Sequence, residues 1–219
     1  MDVKISKELS ELRPGAALMV LSYEAEVKES SAELLALLDK TIDNIHSRYT
    51  MTDLAELIHI KDTRTAYRNL GKSPTAYRNA AEAMLRRIVK GNGLYHINNV
   101  VEINNLISIT TGYSVGSYDT DCLSGTVEWK RAPDGESYLG IGKDILNIEH
   151  LPTLYDEKGA FGNPTSDSRR AMISPGIHRI SSVVYSFSGN HELDLIASQY
   201  QELLIAHCRA KEIDVKIIS

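Results

Sequence analysis

Ile97-Asn-Asn-Val-Val-Glu-Ile-Asn-Asn-Leu-Ile-Ser-Ile-Thr-Thr-Gly-Tyr-Ser-Val-Gly-Ser-Tyr-Asp119 is the stretch on which the fold turns. Up to Thr111 it is rich in β-branched residues, yet helical spacing sorts it better than alternation. Asn98, Glu102 and Asn105 fall on one side, and Val100, Val101, Ile103, Leu106 and Ile107 cover the others. After Gly112 the period changes, and Tyr113 to Tyr118 alternates as a strand does. Upstream the helical pattern continues. Ser30-Ser31-Ala32-Glu33 is a capping box for a helix running to about His46. Thr52 to Asn69 predicts one or two short helices, and Tyr77 to Lys90 predicts another with an apolar stripe of Ala81, Met84, Leu85 and Ile88. Arg78, Glu82, Arg86 and Lys90 follow four apart on its other side, and Gly91 and Gly93 end it.

Further out, Lys4 to Val27 predicts strand, turn and strand, with Pro14-Gly15 as the turn. Downstream of Gly112 strands are expected at Gly125 to Arg131, Tyr138 to Ile141, Leu154 to Asp156, Ala171 to Ser174 and Ile180 to Phe187. A last helix is expected over about His191 to Ala210, with Leu195, Tyr200, Leu203 and Leu204 inward, and Val215 to Ile218 as a closing strand. Helices before residue 112 and strands after it indicate one α+β domain, not a doubly wound one. Thr65-Ala-Tyr-Arg-Asn69 and Thr75-Ala-Tyr-Arg-Asn79 are identical stretches ten residues apart, too close for a repeat architecture.

The chain has 219 residues, 42% hydrophobic and 24% charged, as ordinary globular domains do. Neither a signal peptide nor an eighteen-residue apolar run is visible, and Cys122 and Cys208 stand far apart. The expectation is a soluble, cytoplasmic protein with two reduced thiols. The net charge of −5 is unevenly spread. Between Lys61 and Lys90 eight basic residues (Lys61, Arg64, Arg68, Lys72, Arg78, Arg86, Arg87, Lys90) meet two acidic ones, Asp62 and Glu82. That window is +6 and the remainder −11, a pattern shared by a local phosphate-binding site and by a solvated helical face.

Single motifs say little. Gly112-Tyr-Ser114-Val-Gly116 matches a nucleophile elbow, but the elbow needs a strand before the serine and a helix after it, and here the order is reversed. The seven histidines are dispersed without metal-ligand spacing, so no metal and no cofactor is expected. Gly140-Ile-Gly-Lys143 reads as a hairpin turn. Asp119 and Asp121 suit a strand end better than an acid pair, and Glu136 follows an Asp134-Gly135 turn.

The order of the motifs carries more. Ala66-Tyr-Arg-Asn-Leu-Gly-Lys-Ser-Pro74, Tyr77-Arg78 and Glu82-Ala-Met-Leu-Arg-Arg87 are followed by Ile97-Asn-Asn-Val-Val-Glu-Ile-Asn-Asn105, Gly116-Ser-Tyr-Asp-Thr-Asp121 and Arg131-Ala-Pro-Asp-Gly-Glu136. The series resembles the B3/B4 tRNA-editing module of the phenylalanyl-tRNA synthetase β chain, in free-standing form, most closely over residues 60–140. The resemblance implies a single three-layer domain of β-sheet layers covered by helices. It also implies a pocket between the helical and strand halves for the aminoacylated acceptor end of a tRNA, with neither membrane nor DNA as partner. Carried over by motif, Asn98, Asn99, Glu102 and Asn105 would be the catalytic set. Gly116, Ser117, Tyr118, Asp119 and Glu136 would bind substrate, and Arg68, Lys72, Arg78, Arg86, Arg87 and Lys90 would dock the tRNA. Ser117 and Tyr118 depart from the synthetase's usual Ala-Phe, and Glu102 from its Asp. Three functions follow: deacylation of a mischarged tRNA in trans, a non-catalytic tRNA- or RNA-binding module, or a pocket for a free amino acid. None is a ligase.

Overall fold

The computed structural model describes residues 1–142 and 144–219. The chain begins with β1 (Val3–Ile5), α1 (Lys7–Leu12) and β2 (Ala17–Val27). A helical run follows: α2 (Ala32–Arg48), α3 (Asp53–Glu56), α4 (Ile58–Asn69), α5 (Ala80–Val89) and α6 (Asn99–Thr111). Seven strands come next: β3 (Ser114–Asp119), β4 (Val127–Arg131), β5 (Ser137–Leu139), β6 (Ile145–Asn147), β7 (Pro152–Asp156), β8 (Gly159–Gly162) and β9 (Gly176–Ser186). Then α7 (Leu193–Cys208) and β10 (Lys211–Ile218) close the chain.

The strands form two four-stranded sheets, in the orders β1-β4-β7-β8 and β10-β2-β9-β3, and β5 pairs with β6 in a two-stranded sheet. The second sheet is antiparallel throughout, and β2 and β9 pair over their whole length from Ala17↔Ser186 to Val27↔Gly176. Because side chains alternate across a strand, β2 feeds two cores. Leu18 and Val20 join Tyr118, Val183 and Tyr185 against Val127, Trp129, Leu154 and Phe161 of the first sheet. Ala17, Met19, Leu21 and Tyr23 pack instead on Val100, Ile103 and Ile107 of α6 and Ile196, Tyr200 and Leu204 of α7. A third core, outside α6, gathers Leu38 and Ile45 of α2, Ile60 of α4 and Ala81, Leu85 and Ile88 of α5. The order is sheet, sheet, helices, the layered α+β arrangement expected.

α6 is sandwiched between the second and third cores. Asn99, Val100, Glu102, Ile103, Asn104 and Leu106–Ile109 are all buried, so this helix has almost no solvent face. Gly112 ends it with φ +83°, a left-handed turn that a side chain would strain.

Four sequence expectations need correction. Lys7–Leu12 is a helix capped by Ser6, where strand was expected ahead of the Pro14-Gly15 turn, because the Ser6 hydroxyl accepts from the Leu9 N–H. Ala171–Ser174 is no strand: Arg169–Ala171 forms a 3-10 turn and Met172 makes an isolated bridge to Tyr118. Leu195 is 67% exposed, and α7 turns Leu193, Ile196, Ala197, Tyr200 and Leu204 inward. Short strands β6 and β8 escape the pattern because three or four residues are too few to display a period. The expected turn at Gly140–Lys143 includes Lys143, which lies outside the described residues. Among the described residues no helix is long and apolar enough to cross a membrane.

Candidate functional site

The burial of Ala81, Leu85 and Ile88 turns the other flank of α5 outward, over a groove of about 650 Å³. Arg78, Arg86, Arg87 and Lys90 line one wall of this groove, with Ala83 between them. Leu146, Asn147 and Ile148 of the β6 region and Asn163, Thr165 and Ser166 of the loop after β8 line the other. The groove thus runs between the helical half and the strand half.

Both walls are held in place. Asn79 caps α5, its side chain accepting from the Glu82 N–H at 2.9 Å, and the Ala80 N–H reaches the Pro164 carbonyl at 2.7 Å. The second of these bonds ties α5 directly to the opposite loop. Asn163 folds that loop, its Oδ1 accepting from the Thr165 and Ser166 N–H groups while its amide donates to Tyr138 Oη. Tyr138 donates in turn to the Ser166 carbonyl, and Tyr67 Oη bonds Thr165 Oγ1 at 2.8 Å. Behind the loop Tyr118 donates to Asp167 at 2.7 Å and bonds Tyr185 Oη at 2.6 Å. Burial pushes the Asp167 carboxyl up to about 7.

The cationic wall is organised around one carboxylate. Glu82 is buried and accepts from Arg64 Nη1 at 2.9 and 3.1 Å. Arg78 Nε lies 3.8 Å and Arg86 Nη1 3.7 Å from its Oε1. Sequence spacing set Glu82 on an outward face, but three guanidiniums close over it. It offsets part of their repulsion while leaving Arg78 and Arg86 side chains 38% and 31% exposed. Lys90 is exposed, and Arg87 donates from Nε to the Gly93 carbonyl with its guanidinium over the Tyr95 ring.

Four of the six expected docking residues therefore meet in one groove; two do not. Lys72 is buried, donates from Nζ to Asn147 Oδ1 at 2.9 Å and lies 3.8 Å from the Tyr77 ring centroid. Burial lowers its pKa, and it acts as a strut behind the groove instead of a phosphate ligand. Arg68 is exposed on α4, outside the lining residues.

The expected catalytic residues are spent inside the fold. Asn98 caps α6, accepting from the Val101 N–H at 3.0 Å. Asn99 accepts from the Lys28 N–H at 3.0 Å and donates to the carbonyls of Glu26 and His207 at 2.8 and 3.1 Å. Glu102, wholly buried, accepts from the Ile97 N–H at 2.6 Å and from Ser30 Oγ at 2.7 Å. These bonds splice α6 to the ends of β2 and α7. Asn105 is half-buried, and its neighbour Asn104 holds the more connected position, exchanging bonds with Ser117 Oγ at 2.9 and 3.1 Å and accepting from Tyr200.

The expected substrate wall along β3 is divided by strand alternation. Gly116 and Tyr118 face the first sheet, and Ser117 faces the helices, bonding Ser182 Oγ at 2.6 Å. A Cβ on Gly116 would lie 2.2 Å from Tyr118 Oη, and one on Gly162 2.1 Å from it, so both glycines make room for that phenol. Asp119 accepts from the Asp121 N–H and lies 2.9 Å from His178 Nδ1. Glu136 accepts from Tyr155 Oη at 2.8 Å. None of these five lines the groove. Ser114 is buried, donating to Asn79 Oδ1 and accepting from the Ala81 N–H. Asp134 and the adjacent pair Glu149 and His150 bring ligand-type atoms within 4.8 Å of one another, with His150 Nε2 2.6 Å from Asp134 Oδ1.

Sequence reasoning missed Asn92, Asn147, Asn163, Thr165 and Ser166, whose shared surface arises only when the loop after β8 meets α5. The Asn163-Pro-Thr-Ser166 run is a turn signal that locates a loop without saying what it faces.

Comparison with known proteins brings one decisive match: the model of the family described as B3/4 domain fits residues 62–190. ATP synthase gamma chains of Streptococcus pneumoniae are 26% identical over 154 residues, covering 59% of this chain and 52% of theirs. The chain spans about half the length of these curated relatives. An N-terminal fragment of the phenylalanyl-tRNA synthetase beta-subunit from Pyrococcus horikoshii aligns with a TM-score of 0.45 and 13% identity, over 100% of this chain and 50% of that one.

Proposed function

The chain belongs to the B3/4 domain family, and from that premise we propose that it binds tRNA, seating the acceptor end in the groove along α5. One observation carries this reading: Arg78, Arg86, Arg87 and Lys90 converge on one groove of a chain whose net charge is −5. A phosphate backbone entering there meets four cations and one largely neutralised carboxylate. The acidic remainder of the surface repels it, so the site is local. The test is tRNA affinity at several salt concentrations. Each phosphate contact releases counterions, so log affinity against log salt is expected to fall with a slope of about −0.7 to −0.9 per contact. A chain that binds no tRNA, or binds it without salt dependence, overturns the reading.

A second reading concerns chemistry at the same place, the hydrolysis of a mischarged aminoacyl-tRNA in trans. It is favoured by the amide and hydroxyl groups of Asn92, Asn147 and Ser166 in the groove. An aminoacyl ester is already activated, so holding a water and stabilising the developing oxyanion suffices without a nucleophile. A deacylation screen across mischarged tRNAs tests it. Turnover of at least one ester establishes an enzyme. Salt-dependent binding with no turnover leaves a binding module, and binding of a free amino acid without RNA points to a small-ligand pocket.

A further inference from the structure

Among the described residues Tyr95 is the single tyrosine, tryptophan or phenylalanine left exposed, at 70%, while Trp129, both phenylalanines and the remaining tyrosines are buried or half-buried. An exposed tyrosine on a loose loop would mean little. This one is presented by a segment fastened on both sides. Upstream, the Gly93 carbonyl accepts from Arg87 Nε, and Leu94 packs on the third core. Downstream, the Ile97 N–H is held by the buried Glu102 carboxylate at 2.6 Å. Leu94 goes in and Tyr95 goes out. The Arg87 guanidinium lies 4.5 Å from the Tyr95 ring centroid, and Arg87 also lines the groove, as does Asn92 three residues before Tyr95. The ring therefore stands at the end of the cationic wall, braced by an arginine on one side and open to solvent on the other.

We infer that Tyr95 is a stacking platform for an unpaired nucleobase of the RNA held in the groove. This rests on the groove being the RNA site, and adds to it the class of nucleic acid: a single-stranded end rather than a closed duplex. The chemistry follows from the pairing of residues. The groove cations bind phosphate oxygens, which every nucleotide has, whereas a bare aromatic face accepts only a base that has left its stack. Stacking an arginine beneath the tyrosine fixes the ring plane before the base arrives, so little side-chain freedom is lost on binding. The same logic gives Glu102 a purpose as a positioning residue, since it holds the segment from which Tyr95 projects.

The experiment compares wild type, Tyr95→Ala and Tyr95→Phe on two probes, a hairpin RNA with a single-stranded 3′ extension and the same hairpin blunt-ended. Tyr95→Ala is expected to weaken binding of the extended RNA by roughly five- to a hundredfold, the range of one lost base stack. The log–log salt slope stays unchanged, because no phosphate contact is removed, and the blunt hairpin binds as before. Tyr95→Phe keeps wild-type affinity. A 2-aminopurine placed in the extension is quenched on binding wild type and not on binding Tyr95→Ala. Unchanged affinity of Tyr95→Ala for the extended RNA overturns the stacking inference alone, as does an equal loss on both probes. Wild type that binds neither probe overturns the groove reading together with it. Melting temperatures of the variants match wild type, since the side chain is mostly in solvent.

Discussion

Two polar regions of this molecule, the N-terminal part of α6 and the outer flank of α5, look equally functional in the sequence and differ completely in what their side chains do. On α6, Asn99 makes three bonds to main-chain groups of Lys28, Glu26 and His207, and Glu102 makes two more. On and beside α5, Arg86 and Arg78 keep about a third of their side-chain surface, and Lys90 at its C-terminal end is exposed. The difference comes from the neighbours of each helix. α6 lies between two cores, so each polar group on it must find a partner inside. α5 has one buried stripe, so its polar flank stays available to a ligand. A polar residue on a doubly buried helix is first of all a fastener, whatever motif it belongs to.

The largest expected effect breaks the fastener. Asn99→Ala leaves one N–H and two carbonyls without their side-chain partner, at a cost of about 2–4 kcal/mol. Thermal unfolding should fall by roughly 5–15 °C for a chain of this size. The folded fraction should bind tRNA with wild-type salt dependence. Stability within about 1 kcal/mol of wild type would mean the amide is not structural, and would return it to the pocket.

The helical half of the fold was legible because long apolar stripes carry a period. α2, α5 and α6 lie within a few residues of their expected bounds. The candidate site was legible only on its α5 wall. The opposite wall is built from loops and three-residue strands, and its position depends on bonds such as Ala80 N–H to the Pro164 carbonyl, which no local pattern announces. Alternation along β3 was visible, but which neighbours Ser117 and Tyr118 meet depends on the sheet and helices packed on either face. The twin pentapeptides make the same point. Thr65–Asn69 completes α4 and leaves Asn69 exposed, donating to the Leu12 carbonyl. Thr75–Asn79 is a turn whose Asn79 is buried and caps α5. Identical residues take different structures because the first follows seven helical residues and the second follows Ser73-Pro74, where proline removes the helical N–H.

A second prediction sharpens the other side of the comparison. Reversing Arg86 to glutamate would set a new carboxylate against the buried Glu82, 3.7 Å from the present guanidinium, and confound folding with binding. Neutralisation avoids this. Arg86→Gln with Lys90→Gln should weaken tRNA binding by about 1–3 kcal/mol and flatten the log–log salt slope by about two contacts' worth. Stability should stay within about 1 kcal/mol, because neither side chain lies in the apolar stripe. Affinities and slopes measured side by side decide the matter. Equal values for both proteins would make the α5 flank a solvated face.

The smallest effect is expected at Glu136, which lies in neither region. Its carboxylate accepts from Tyr155 Oη at 2.8 Å, and Tyr155 is buried beneath the Lys130 ammonium, 4.5 Å from the ring centroid. Burial, and then this carboxylate, hold the phenol protonated far above its ordinary range, so Tyr155 stays the donor of this bond. Glu136→Ala removes that one bond from the buried phenol, a loss of about 1 kcal/mol and a few degrees of melting temperature. The groove on this side is lined by Leu146, Asn147 and Ile148, so tRNA affinity and its salt slope should not move. If deacylation is found, its rates across a set of mischarged tRNAs give the sharper measurement. Rates that keep their ratios in Glu136→Ala confine the aminoacyl group to the groove. A changed ratio at unchanged tRNA affinity would instead mean that the amino-acid side chain reaches beyond β6 to the Glu136–Tyr155 pair, and that a third region, fastened like α6 yet open like α5, reads the substrate.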